Sequence, residues 1–478
     1  MKKSLVALAV LAATGAYAQS SVTLYGIVEA TTDIGYNRTQ DTTTTTNTFN
    51  AAGGGVSSTV TSTTAQQKNG FRIQDGSDQG SGSSRVGFRG TEDLGGGLKA
   101  NFLLEMGLRI DDGCTTLGSA ANCDNGGNSA NSGGSTFGRN AWGGLSGGFG
   151  EVRLGRQVLG SFAVQGNSGS SGASNGLYDA STATMSPMGG IRFSNAIRYL
   201  SPNFGGFTGS LMLAAPETGS AIARQGFGPT SETTTAGGFT TTNNASRRTG
   251  VDLALEYANG PAYVGFGYNK RDTLGIPSST NPVLAGTTTV NNLAALGFGG
   301  FPLAPAIPAT VTGYTIGGAY DLGVVKPFIN YTRQKTDFSG SRAFTSANPA
   351  LNTFDSSTGD SNQRALSIGL RAPVGAFTVI AGYGRSTTTS NAVVANTAGG
   401  VTTTGTVRDE AKRDAFQLGA QYALSKRTLV EANYGYNKLR GNSSVVGTTT
   451  VPGTGRVEVI GNSNDRISAL NVGLRHSF

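Results

Sequence analysis

Histidine occurs once in this chain, as His476, two residues before the final Phe478. A Ser–His–Asp or Cys–His nucleophile needs an imidazole in a protected site within hydrogen-bond reach. His476 lies beside the chain end, in register with Leu474 and Phe478, so hydrolytic chemistry is not expected. Cys114 and Cys123 share one Gly/Asn-rich stretch with no histidine near them, a poor zinc set. The glycine clusters Gly95-Gly96-Gly97 and Gly147-Gly148 fall between strand-like segments and open no helix, so they do not cradle phosphates. No metal and no cofactor is expected. What remains is arginine, at 85, 89, 139, 153, 192 and 198, each within or beside an alternating segment. A guanidinium cannot be deprotonated at working pH, so it offers a permanent positive field rather than bond chemistry.

The elements that must position these arginines are strands. In Leu470 to Phe478 the apolar Leu470, Val472 and Leu474 share one face with His476 and Phe478, and Asn471, Gly473 and Arg475 share the other. A closing strand with one greasy and one polar face suits a wall between lipid and water. The same period-2 pattern recurs along the chain. Ser84–Gly90 and Leu98–Gly107 flank a tight turn at Glu92-Asp93-Leu94-Gly95. Arg139–Leu145 and Glu151–Gln157 flank Ser146–Gly150. Arg192–Leu200 and Thr208–Ala214 flank Pro202–Gly206. Counting from Val22–Ala30 to Arg466–Phe478, the pattern gives sixteen strands joined alternately by short turns and long polar tracts such as Thr42–Thr46. An even count lets the last strand pair with the first and leaves no open edge.

The chain start and the composition agree. Met1-Lys2-Lys3, the short apolar run Leu5–Ala13 and Ala16-Tyr17-Ala18 read as a secretory signal over residues 1–18, with Gln19 opening a single barrel domain over 19–478. The hydrophobic fraction of 37% is low for a globular core, yet 13% charged residues is too few for disorder. A barrel with one lipid face and one watery face resolves the mismatch. Leu293–Ile307 is apolar, but Gly297, Gly299, Gly300, Pro302 and Pro305 break it into loop. Without Lys2 and Lys3, 34 basic residues face 28 acidic ones, a net +6. These charges alternate with apolar residues instead of forming basic runs, so nucleic acid is not the expected partner. Export permits a disulfide between Cys114 and Cys123. The fold class is therefore all-β, a 16-stranded antiparallel transmembrane β-barrel with short periplasmic turns and long external loops.

Alternation then assigns faces. With Val86 and Phe88 against lipid, Arg85 and Arg89 face the lumen. Leu98, Ala100, Phe102, Leu104 and Met106 send Lys99, Asn101 and Glu105 inward. Trp142 read as lipid-facing sends Arg139, Ala141 and Gly143 inward. Phe193, Ile197 and Tyr199 read as lipid-facing send Arg192, Ala196 and Arg198 inward, and leave Asn195 on the lipid face as a blemish. Tyr25, Tyr199, Phe204 and Tyr422 near strand ends are expected in the interfacial girdle.

Ser21–Gly26, Arg85–Glu92, Arg139–Ser146 and Gly473–Phe478, in this order and spacing, resemble strands one, two, four and sixteen of the trimeric general diffusion porins of Gram-negative outer membranes. The resemblance implies passive diffusion of small hydrophilic solutes and ions, a homotrimer in the lipid bilayer, and a third external loop folded into the barrel. It implies a constriction of wall cations facing loop acids: Arg85, Arg139 and Arg192 against Asp179, the one acid in Val158–Ile191. Ile27 stands where some relatives carry a lysine. Three arginines against one acid imply mild anion preference. Phe478 matches the family's assembly signal. A substrate-specific anion channel and a surface adhesin or receptor are the alternatives.

Overall fold

The computed structural model describes residues 21–49, 56–74, 84–110, 136–169, 191–215, 230–236, 239–245, 249–275, 307–346, 353–398, 401–449 and 457–478. The expected signal, Cys114, Cys123 and Asp179 lie outside them. The first half holds β1 (Ser21–Phe49), β2 (Val56–Gln74), β3 (Arg85–Gly95), β4 (Leu98–Gly107), β5 (Asn140–Gly147), β6 (Gly150–Val158), helix α1 (Gly160–Gly169), β7 (Arg192–Leu200), β8 (Phe207–Ala214), β9 (Thr230–Ala236) and β10 (Phe239–Ala245). Then come β11 (Gly250–Asn259), β12 (Ala262–Gly275), β13 (Ile307–Tyr320), β14 (Lys326–Ser346), β15 (Thr353–Val374), β16 (Phe377–Ala398), β17 (Val401–Ala423), β18 (Thr428–Thr449) and β19 (Val457–Ser477).

Sixteen of these strands form a closed antiparallel wall, and β2, β9 and β10 stand outside it. Closure runs between the first and last strands, from Ile27↔Ser477 to Thr48↔Val457. The start of β1 pairs with β3, from Ser21↔Thr91 to Ile27↔Arg85. Higher up, β1 gives that edge to β2, from Thr31↔Gln74 to Phe49↔Val56. The lipid-facing parity of the final strand holds. Leu470, Val472 and Leu474 are 40%, 36% and 47% exposed, while Asn471 is fully buried inside.

Wall height is uneven. A bilayer needs about 9–11 residues of tilted strand. Strands β3 to β8 are 8–11 residues long, but β15, β16 and β18 have 22 each and β1 has 29. The polar tracts that read as loops are here largely hairpin arms: Thr42–Thr46 pairs with Thr59–Thr63 on one side and with Val459–Ser463 on the other. Thr lacks apolar alternation but is β-branched and favours strands. Ion pairs tie these tall arms, Arg38–Asp465 at 2.7 Å inside and Arg466–Asp41 at 3.0 Å.

Besides a register shift between Asp93 and Gly95 at the β3–β4 turn, two bulges break the alternation within the wall. On β1 the register shifts between Ile34 and Asn37, with Gly35 at φ 65°. On β7 Gly155 faces Ala196 but Gln157 faces Phe193, so β7 carries one extra residue there. That residue is Asn195, at φ 54°, a conformation asparagine tolerates better than most. The bulge turns Phe193 inward, where it is buried with Leu159, Ala196 and Met212. Phe193 is therefore not lipid-facing, and the apparent blemish at Asn195 is the bulge itself.

Candidate functional site

Glu105 is the hub of the narrowed lumen. On β4 it stands opposite Gly87, two pairs from Arg85↔Gly107, so Glu105 and Arg85 share the inner face. Its Oε2 lies 3.6 Å from Arg85 Nε, and its Oε1 lies 2.8 Å from Arg139 Nε. The Tyr25 hydroxyl donates to Oε2 at 2.8 Å, and Asn140 Nδ2 donates to Oε1 at 3.1 Å. The Arg139 backbone N–H also donates to the Glu105 carbonyl oxygen, at 3.1 Å. Arg192 lies within electrostatic range of Arg139, Arg156, Glu105 and Arg85. Its Nε is buried without a hydrogen-bond partner. Two guanidiniums thus pair with one carboxylate that is 6% exposed, and a third lies within its electrostatic range. The sequence reading turns Glu105 inward without assigning it to the site; its shared parity with Arg85 was the available signal.

Two aromatic orientations, those of Trp142 and Tyr25, differ from the sequence expectation, while Arg139 faces inward as expected. Trp142 pairs with Leu103 on the face that carries Glu105, so it points into the lumen, and Ala141 and Gly143 point out. The Arg153 guanidinium sits 4.2 Å from its ring centroid. An aromatic on a wall strand reads as lipid-facing, but a cation over its ring gives it a polar-side partner. Arg139 precedes Asn140, the first residue of β5, and reaches Glu105 from the loop base, where strand parity does not apply. Tyr25 is not in the girdle, because its hydroxyl is spent on Glu105.

The described start of the third loop, helix α1, packs against the inner wall. Asp252 on β11 accepts from Gly160 N at 2.7 Å and from Ser161 N at 3.2 Å, and also pairs with the Ser161 hydroxyl. A carboxylate there satisfies orphan N–H groups and complements the positive end of α1. Further along, Asn167 Nδ2 donates to Glu256 at 3.0 Å, and Asn330 Nδ2 donates to Ser168 Oγ at 2.5 Å. Three wall glycines leave room for the helix. A Cβ at Gly265, Gly267 or Gly317 would collide with Val164, Ser161 or Ser168 in turn. No sequence signal marks this helix, since GSFAVQGNSG is rich in glycine and serine and has no broad apolar stripe.

A sealed β-wall, apolar outside and polar within, whose lumen is narrowed by a helix and an arginine cluster, defines a membrane-spanning pore. The chain belongs to the Gram-negative porin family, whose model matches residues 4–442. Outer membrane porin protein 32 of Delftia acidovorans is 38% identical over 224 residues, 45% of this chain and 50% of that protein. The chain thus spans half the length of that relative. An outer membrane porin protein of Bordetella pertussis is 28% identical across 100% of both chains. Among solved structures, the anion-selective porin from Comamonas acidovorans covers 96% of this chain and 100% of its own, at 22% identity and a TM-score of 0.46. The protein is a multi-pass β-barrel of the outer membrane.

Proposed function

We propose that the barrel is a passive channel for small hydrophilic solutes and ions with mild anion preference, working as a homotrimer. The observation that carries the preference is the charge ratio around Glu105. Arg85, Arg139 and Arg192 surround one carboxylate that is already engaged by Arg139 and Tyr25. On this reading these three arginines form the wall side of the constriction, Asp179 faces them from the third loop, and Glu105 is the added member that holds Arg139. Charges lining a pore set selectivity by attracting one sign of ion into a space where water is scarce.

The same reading makes residues 1–18 the export leader, residues 19–478 the barrel domain, Cys114–Cys123 a loop disulfide and Phe478 an assembly signal. The last is supported by two hydrogen bonds of 3.0 Å between Gly26 and Phe478 and by the Phe478 ring lying over Gly26. Single-channel recording of the purified protein tests the channel reading. Conductance rising in proportion to KCl concentration is expected for a water-filled pore. Saturation at low salt would contradict passive diffusion.

A further inference from the structure

Below Glu105, toward the short-turn end of β1 and β3 to β6, the inner wall borders a cavity of about 560 Å³, within the usual size range of ligand sites. Its lining includes Tyr25, Arg89, Asn101, Trp142 and Glu151. Two rings here each carry a guanidinium: Arg89 lies 5.4 Å from the Tyr25 centroid and Arg153 4.2 Å from the Trp142 centroid. The two cations are not equivalent. Arg153 is neutralised by Glu151 at 2.6 Å. Among the described residues Arg89 has no acidic partner, so it is the uncompensated charge of the cavity. It stands four residues below Arg85 on the same face, roughly 13 Å along the strand.

We propose that this cavity is a subsite for small aromatic carboxylates, with the carboxylate on Arg89 and the ring against the part of Trp142 that Arg153 leaves uncovered. The chemistry selects this class. One free guanidinium matches one carboxylate in a forked pair. A phosphate dianion would call on a second cation, and Arg153 is already engaged. An indole in a watery lumen gains little from small inorganic ions but stacks on a flat apolar ring. A neutral sugar would leave Arg89 unused. An anion passing the arginine cluster around Glu105 reaches this subsite next, so the inference rests on the lumen being the solute's route.

Trp142 is the only tryptophan in the chain, so its emission reports the subsite directly. The folded, purified protein is titrated with benzoate, with acetate as the anion lacking a ring and benzyl alcohol as the ring lacking charge. Benzoate is expected to shift Trp142 emission saturably and to block KCl current in a bilayer, while neither control does so at the same concentration. Arg89→Gln is expected to weaken benzoate about tenfold by both readouts, and Trp142→Ala about tenfold by current block. Heat-stable oligomer in each variant shows that it has assembled, and Arg89→Gln carries the test alone if Trp142→Ala fails to assemble. Equal effects of acetate and benzoate, no saturable change in emission, or undiminished affinity in Arg89→Gln would each overturn the subsite. A protein that forms no conducting channel in KCl would instead overturn the porin reading, and the emission titration would still judge the subsite.

Discussion

Glu105 shows how one carboxylate can organise a positive lumen. Buried ions are costly unless paired, and Glu105 gathers two guanidiniums, a phenol and an amide. It holds the arginines in place and lowers the net field they produce. Glu105→Gln keeps much of the shape and removes the negative charge that pairs with Arg85 and Arg139. The zero-current potential of this variant in a KCl gradient is expected to move further toward anions, with noisier current as Arg139 loses its partner. A shift toward cations would contradict the role given to Glu105. Arg440→Glu is the matching outer-wall control: Arg440 pairs with Asp414 at 2.6 Å on the outward face, and its reversal should leave the potential where it is. At this scale the sequence revealed much. Parity alone places Arg85, Arg89 and Glu105 inside. It misplaces Trp142 because hydrophobicity says nothing about a cation stacked on the ring. It misplaces Phe193 because the bulge at Asn195, an αL residue, turns that ring inward.

The helix α1 is where the chain gave least warning. It is held by the wall, through Asp252 at its N-terminus, Asn330 near its end and three glycines that clear its path. Those contacts join residues about 90 to 160 positions apart, beyond the reach of any local pattern, and they override weak helix propensity. Asp252→Ala frees the N–H groups of Gly160 and Ser161 and is expected to cost about 1 kcal/mol of helix docking, the usual worth of a cap. Single-channel conductance should then rise and flicker as α1 leaves the wall. Gly317→Val should act the same way through its clash with Ser168. Unchanged conductance in both variants would mean that α1 does not narrow the path. The closing strand makes a second claim at this scale. Deleting Phe478 removes two backbone hydrogen bonds to Gly26 and the ring that covers it. Heat-stable oligomer in outer-membrane fractions is expected to fall sharply, and normal levels would contradict the assembly role.

Taken as a whole, the molecule is a lopsided barrel. A low rim over β3 to β8 meets the inward helix and the arginine cluster, and a tall rim of β14 to β19 and β1 rises beyond the bilayer. Sixteen wall strands and their order were legible because lipid outside and water inside impose a strict period of two. The tall hairpins were not, because above the bilayer both faces of a strand are polar and the period disappears. Charge is the property through which this architecture acts. Unit charges about 8 Å apart at an effective dielectric near 20 interact by roughly 2 kcal/mol, and screening at physiological salt sets in over about 8 Å. A few convergent arginines can therefore bias small anions over cations several-fold. The zero-current potential of the wild-type protein and of Arg85→Glu, recorded in the same KCl gradient, measures that bias. The wild-type potential is expected to carry the sign of anion preference, and Arg85→Glu, which changes the local charge by two units, to move it clearly toward cations. A cation-selective wild type, or a potential that Arg85→Glu leaves unmoved, would contradict the assignment of selectivity to this cluster.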